Sequence, residues 1–435
     1  LLGDTLILDP FDTEYDYVYV GTVHESKRWC LIETVAEHNN IVTRIIDKQN
    51  VQGESFQAIT GFYYLSNYKL LKTCILEAIH SHKTELSSVL ESYMNNYPIR
   101  AKQVQNWFDF GHIDNLILAK RRLLQTRYFN QLDIDPILNT IKKKSKNNQK
   151  LQDELFWYLS LPDDLKVLTP RIVSNKIHHG YVEIVQEYYG YATLAELYVY
   201  SDWSAGPWES IIKKLFFILR EFRRYESILD KNDLHSMYIS KTFSRLSLLS
   251  NSSRIWSDLI SRRYIFCDNQ KLSNIYDLHR QIIAYSCALS LKTKGYIIHG
   301  DFCFSNILYD VNSQIVRLVD PRGRFGKRSI YGDPRYDFAK LRQSIYGLYD
   351  FIMADLFEVT QESDSYYTQI YRNDKTKHIG DTFDRLLELE GFKLDEVKFL
   401  EGILFLSMVP LHKDQPNRQL MMYLTGLKLL NELLS

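Results

Sequence analysis

"IIHGDFCFSNILYD", residues 297–310, places His299, Asp301 and Asn306 on one short loop between two apolar runs, and "LVDPRG" follows from Leu318. Phosphoryl transfer from ATP needs a carboxylate that orients or deprotonates the acceptor hydroxyl, together with ligands that hold Mg2+ against the phosphates. Magnesium prefers hard oxygen donors, which carboxylate and amide side chains supply. Asp301, then Asn306, then Asp320 at the next turn form such a set: base, metal ligand, metal ligand. The runs "YII" and "IVRLV", read as strands, are expected to bring the loop and Asp320 side by side. The bland reading is a polar turn in which Asp and Asn satisfy backbone amides. A lone H-x-D would leave that reading standing, but H-G-D-x-x-x-x-N followed shortly by an apolar strand and Asp is far more specific. Cys303, inside the loop, is read as packing because no His–Asn set is placed to activate it.

At 435 residues the chain exceeds what one hydrophobic core usually organises, so two or three domains are expected. Apolar residues at 45% and charged residues at 24% are a globular composition. Lys plus Arg balance Asp plus Glu at 53 each, so no global field favours nucleic acid or an anionic membrane, and any anionic ligand needs a local site. A nucleic-acid role also lacks a motif. The five cysteines, Cys30, Cys74, Cys267, Cys287 and Cys303, are scattered and never spaced C-x-x-C, which argues against a disulfide framework or a zinc site and for a reducing cytoplasm. There is no run of about 18 apolar residues for a membrane span. The start, "LLGDTLILDP", lacks the basic region and cleavage site of a signal peptide. A soluble, cytoplasmic protein is expected, and a start inside an apolar strand implies a fragment.

From Asp16 to Tyr64 the pattern is strand-like: "YDYVYVGTV", "RWCLIETV", "NIVTRIID" and "AITGFYYL" are β-branched or aromatic and separated by polar turns. "NYKLLKTCILEAIHSH" and "TELSSVLESYMNN" carry helical spacing, "IRAKQVQNWFDFG" returns to strand, and "HIDNLILAKRRLLQTRYFN" reads as a closing helix. This α/β unit is placed at 1–130. A small lobe, 131–205, follows, with "ILNTIKKKS" as a strand, "QKLQDELFWYLSLP" as a helix stopped by Pro162, and "PRIVSNKIHHGYVEIVQEYY" as a strand pair. Over 206–435 helical patterns dominate, the strand-loop-strand around His299 being the expected exception.

On "HGDFCFSNILYD", "LVDPRG" and "GDPRYDFAKL", residues from about 136 to 435 resemble the aminoglycoside phosphotransferase and choline kinase superfamily. The resemblance implies a protein-kinase-like α+β fold with a small N-lobe and a mainly helical C-lobe. It implies Asp301 as catalytic base, Asn306 and Asp320 as Mg2+ ligands, Asp337 as a structural carboxylate and His299 as a scaffold of the loop. Gly300 replaces the Arg of H-R-D and "DPR" replaces D-F-G, departures that point away from protein substrates. A kinase also needs a small-lobe lysine, held by a helix glutamate, to grip the ATP phosphates. Alternation from Ile141 favours Lys143, with Lys142 the alternative, and Glu154 is the natural partner; the plainer reading makes "KKKSK" a solvated basic turn. "QEYYGY", residues 186–191, falls where the resemblance puts the adenine-binding hinge. Trp203, Trp208, Tyr225 and Trp256 are read as core before acceptor platforms. "DPRGRFGKR" either holds a phosphate or acidic substrate or forms a solvated face.

"LLGDTLI" sets Asp4 by an apolar strand and "NWFDFG" sets Asp109 before a glycine. Two carboxylates at strand ends can hold one Mg2+ against a nucleoside triphosphate. Together with "RWCLIE", "IIDK" and "TGFYYL" these stretches resemble the C-terminal half of sugar-phosphate nucleotidyltransferases, a Rossmann-like α/β fold. That resemblance implies Asp4 and Asp109 as metal ligands, Lys48 as the sugar-phosphate lysine, Gly61 as a strand glycine, and CTP, UTP, GTP or dTTP as a second nucleotide. The Gly-rich nucleotide loop of that family would lie before Leu1.

The expected function is an ATP- and Mg2+-dependent kinase for a hydroxyl of a sugar, polyol or choline-like alcohol. It would be coupled to a nucleotidyltransferase making an activated precursor for surface or capsular polysaccharide. The alternatives are an aminoglycoside-type antibiotic phosphotransferase, which predicts an acidic acceptor pocket, and an inactive kinase-fold scaffold. Oligomeric state is not legible.

Overall fold

Tyr17, Val18, Tyr19 and Val20 alternate between two apolar environments, and both are filled, which is why this strand is buried on both faces. The computed structural model describes residues 2–35, 40–111, 131–145, 148–178, 181–291, 294–372 and 375–434. The chain divides into two compact units, Leu1–Arg127 and Tyr128–Ser435. In the first, β1 (Thr5–Ile7), β2 (Tyr17–Val23), β3 (Cys30–Val35), β4 (Ile41–Asp47) and β5 (Phe56–Tyr64) precede α1 (Tyr68–His80) and α2 (Leu86–Met94). Then come β6 (Arg100–Gln103) and β7 (Trp107–Asp109). Strands β2-β5-β3-β4-β6 close into a barrel, and β1 pairs antiparallel with β7. Val18 and Val20 pack with Ile32, Ile45 and Ile59 against Cys74 and Ala78 of α1 and Leu90 and Tyr93 of α2. Tyr17 and Tyr19 face Ile7, Phe62 and Trp107.

This corrects the Rossmann-like expectation. A doubly wound sheet needs helical crossovers between parallel strands, yet among the described residues of this unit β2–β5, β3–β4 and β3–β5 pair antiparallel, and only β2 and β6 pair parallel. The helix expected over 112–130 lies outside the described residues.

In the second unit, β8 (Gln131–Asp135), β9 (Thr140–Ser145), β10 (Ile172–His178) and β11 (Tyr181–Glu187) form an antiparallel sheet in the order β10-β11-β9-β8. Leu151 and Leu155 of α3 (Asn148–Ser160) pack on Val182 and Ile184 of β11. The segment after β11 leads to β12 (Ala192–Thr193), whose Thr193 caps α4 (Leu194–Tyr200) through a reciprocal capping box with Glu196. Helix α5 (Ala205–Phe222) then buries Trp208, Ile212 and Leu215, and β13 (Glu226–Ser227) follows. A π-helical turn, Ser236–Ser240, runs into α6 (Lys241–Ser250).

Strands β14 (Tyr264–Cys267) and β15 (Gln270–Ser273) precede α7 (His279–Ser290), β16 (Gly295–Ile297), β17 (Ile307–Asp310) and β18 (Ile315–Leu318). Helix α8 (Pro334–Ile345) is capped by Asp333 and buried along its whole length. Strands β19 (Phe357–Glu362) and β20 (Ser365–Ile370), then α9 (Lys375–Leu389), α10 (Leu394–Met408) and α11 (Pro416–Leu434), complete the unit. The sheet β15-β14-β20-β19 was not expected from sequence, where helical patterns dominate this region. Trp208 and Trp256 are core, with Trp203 and Tyr225 packed against it. No helix among the described residues is long and apolar enough to cross a membrane.

Candidate active site

The loop after β16 is held through its backbone amides by a carboxylate of α8. Asp337, one turn into α8, accepts the amides of His299 at 2.6 Å and Gly300 at 2.9 Å. Gly300 has φ +77°, and a Cβ there would sit 2.9 Å from the Arg322 side chain, so the loop can turn here only with glycine. His299 is fully buried between Trp157 and Phe302. Burial pushes its imidazole down to about 4, so it is neutral at ordinary pH. Burial likewise pushes the Cys303 thiol up to about 12, which leaves it no nucleophilic thiolate.

Asn306 ends a 3-10 turn and donates from Nδ2 to the Asp301 carbonyl at 3.0 Å. Its own carbonyl accepts the Val319 amide at 3.0 Å, because β17 and β18 pair in the register Ile307↔Leu318. That hairpin brings Asn306 to Asp320. The strand expected to do so, "YII", pairs instead with Glu226–Ser227 and Tyr331–Gly332 in another sheet.

On β9, Ile141 and Lys143 point inward while Lys144 pairs outward with Glu183 at 3.2 Å. Lys143, not Lys142, reaches Glu154 of α3 at 2.8 Å and Asp320 at 2.5 Å. Although burial opposes its charge, the two carboxylates hold the Lys143 ammonium well above the ordinary lysine range. Lys143 in turn keeps Asp320 below the ordinary carboxylate range. The approach of α3 is close: Gly323, at φ +58°, would place a Cβ 1.8 Å from the Asp153 carbonyl.

Asp301 is held by two cations that sequence reasoning did not assign. Arg322 donates to Oδ2 at 2.6 Å and Lys340 lies 3.1 Å from Oδ1. Burial works against ionisation, yet these cations hold its carboxyl well below the usual carboxylate range. Lys340 stands one turn beyond Asp337, a spacing already present in "RYDFAKL" that would have flagged it. The other cations of "DPRGRFGKR" are used internally: Arg324 and Arg328 each lie 2.7 Å from Asp153, and Lys327 lies 3.4 Å from Asp233. All three side chains stay exposed while paired, so the stretch is nearer to the solvated face than to a free phosphate cradle.

The donor set fits Mg2+. Asn306 commits its nitrogen and retains an oxygen, while Asp320 gives Oδ1 to Lys143 and remains 54% exposed. Two hard oxygens from protein, with phosphates and water completing the shell, is the usual magnesium arrangement. After β11, Tyr188 donates its amide to Asn139 at 2.8 Å and Tyr189 lies under the Arg317 guanidinium.

In the first unit, Thr5↔Asp109 pairing brings Asp4 and Asp109 to one place: a Cβ on Gly111 would lie 2.7 Å from Asp4 Oδ2 and 3.3 Å from Asp109 Oδ1. Lys48 sits in the turn after β4, where its exposed ammonium lies 3.9 Å from Glu85. Gly61 lies within β5.

No family model and no curated protein matches the chain. Among solved structures it is similar to an aminoglycoside-3'-phosphotransferase of type VIII at 13% identity, covering 68% of this chain and 99% of that one with a TM-score of 0.37. It is also similar to a thermostable mutant of aminoglycoside phosphotransferase APH(4)-Ia in a ternary complex with ADP and hygromycin B, at 9% identity, 67% and 85% coverage and a TM-score of 0.42. A third structure, described as a fructosamine-3-kinase from Haemophilus somnus 129PT, is similar at 13% identity, 74% and 96% coverage and a TM-score of 0.37. At such values the likeness carries no functional weight, and the site stands on its own distances.

Proposed function

We propose that residues 131–435 transfer the γ-phosphoryl group of ATP to a hydroxyl of a small molecule. The observation that carries this is Lys143 bridging Glu154 and Asp320 while Asn306, tied to the Asp301 loop, borders Asp320 across a strand register. In this reading Lys143 grips the nucleotide phosphates. Asn306 and Asp320 would hold Mg2+, which supplies charge neutralisation at the phosphates. Asp301, kept ionised by Arg322 and Lys340, orients the acceptor hydroxyl more than it deprotonates it, and a loose phosphoryl-transfer transition state asks little more of it. The test is a mass-spectrometric screen of sugars, polyols, choline and aminoglycosides with Mg2+-ATP beside Asp301→Asn. A phosphorylated product lost in the variant supports the reading, while absence of both product and ADP binding supports an inactive scaffold.

For residues 1–127 we propose a metal-binding carboxylate pair, Asp4 and Asp109, that couples the phosphorylated product to CTP, UTP, GTP or dTTP. Their shared approach to Gly111 supports it. The role of Lys48 as a sugar-phosphate ligand and the destination in surface polysaccharide belong to this same proposal. Failure to release pyrophosphate or form a nucleotide-linked product with any of the four nucleotides would sink it.

A further inference from the structure

Beside Asp301 the large lobe gathers more positive charge than its own carboxylates answer. Lys241 and Arg245, one turn apart on α6, face α8 and the end of α10. Lys241 Nζ lies 3.4 Å from the Tyr336 hydroxyl and 5.8 Å from its ring centre. Arg245 donates at 2.9 Å to the carbonyl of Ser407, which offers only the partial charge of a helix end. Neither cation forms an ion pair among the described residues, and both are half-buried. Tyr336 is buried on α8 about one turn before Lys340, and Arg322 and Lys340, the two cations on Asp301, act on it together with Lys241. Asp350 stands near Lys340 but is buried, which pushes its carboxyl up to about 6. The local field agrees: Lys241 is lowered by burial and by Arg245, Arg322 and Lys340, Arg245 is lowered by burial and by Arg322, and Tyr336 falls below the ordinary phenol range despite burial.

Charges withdrawn from water are normally paired. We propose that Lys241 and Arg245 bind an anionic group, a phosphate or carboxylate, on the acceptor whose hydroxyl Asp301 orients. The inference rests on the kinase reading of Asp301 and narrows it: the acceptor is an acidic or phosphorylated alcohol, not a choline-like cation or a polycationic antibiotic. The π-helical turn Ser236–Ser240, which resets the phase of the helix immediately before Lys241, belongs with such a site.

The test uses the whole chain with Mg2+-ATP and three matched acceptors: ribitol, ribitol 5-phosphate and ribonate. Preference for either anionic member by about tenfold or more in kcat/KM, removed by Lys241→Ala and restored by Lys241→Arg, is expected. The phosphate and carboxylate arms tell the two anions apart. Equal use of ribitol, with no change in Lys241→Ala, overturns the inference and leaves the kinase reading intact. If no acceptor turns over, calorimetric titration of inorganic phosphate into protein saturated with Mg2+-ADP decides. Binding weakened about tenfold by Lys241→Ala and by Arg245→Ala supports it, and no binding with ADP held refutes it. Failure to bind ADP at all removes the kinase reading and this inference together.

Discussion

Lys143 answers two carboxylates at once. Its ammonium sits between a buried glutamate and Asp320, so Lys143→Ala leaves Glu154 unpaired in the interior, at a cost of about 3–5 kcal/mol. A fall in thermal midpoint with loss of ADP affinity is expected, and Glu154→Gln, which removes the orphaned charge, should soften the loss of stability in the double variant. His299 makes a pH prediction. Its imidazole goes from about 4 when folded to about 6.5 when unfolded, so the unfolded chain binds more protons between those values. The contribution of His299 to stability is therefore complete above pH 6.5 and is lost toward pH 4, by about 3 kcal/mol, while Asp337 and Asp350, raised by burial to about 7 and about 6, contribute with the opposite sign over the same range. Denaturant unfolding at pH 7 and pH 5 should show wild type losing more stability, or gaining less, than His299→Phe on going to pH 5; equal changes in the two proteins would contradict the assignment.

At the scale of elements, the site is a meeting of α3 with the turn after β18. Gly323→Ala would drive a methyl into the Asp153 carbonyl and push α3 away. ADP binding is expected to fall by tenfold or more in a titration, with far-ultraviolet dichroism unchanged, because the clash moves a helix without unwinding it. Much of this level was legible. The Lys143–Glu154 pairing followed from two-residue alternation on β9 and a helix directly after it. The clamp on Asp301 was legible only as the Asp337–Lys340 spacing; that α8 docks Lys340 against a loop more than thirty residues earlier in sequence is a tertiary fact which that spacing alone does not report. Strands β14, β15, β19 and β20 escaped for a different reason: they are short, and β19 exposes most of its residues, so alternation is weak. In the first unit, short strands were visible individually, but barrel closure through β2 and β6 joins segments some eighty residues apart.

Across the whole molecule, each unit has cores built from its own residues. Calorimetry of the full chain is expected to resolve two transitions, with Mg2+-ADP raising only the one that belongs to Tyr128–Ser435; a shift of both together would contradict the assignment of the nucleotide site. Helix α8 has a last consequence. All twelve of its residues are buried, Asp337, Lys340, Arg342 and Gln343 among them, although its composition is that of a surface helix. Saturation mutagenesis along Pro334–Ile345 would then show no 3.6-residue rhythm of tolerated positions. Tolerance should be flat and low, with charge-conserving changes failing as readily as apolar ones, since on this helix there is no outward side on which variation can accumulate.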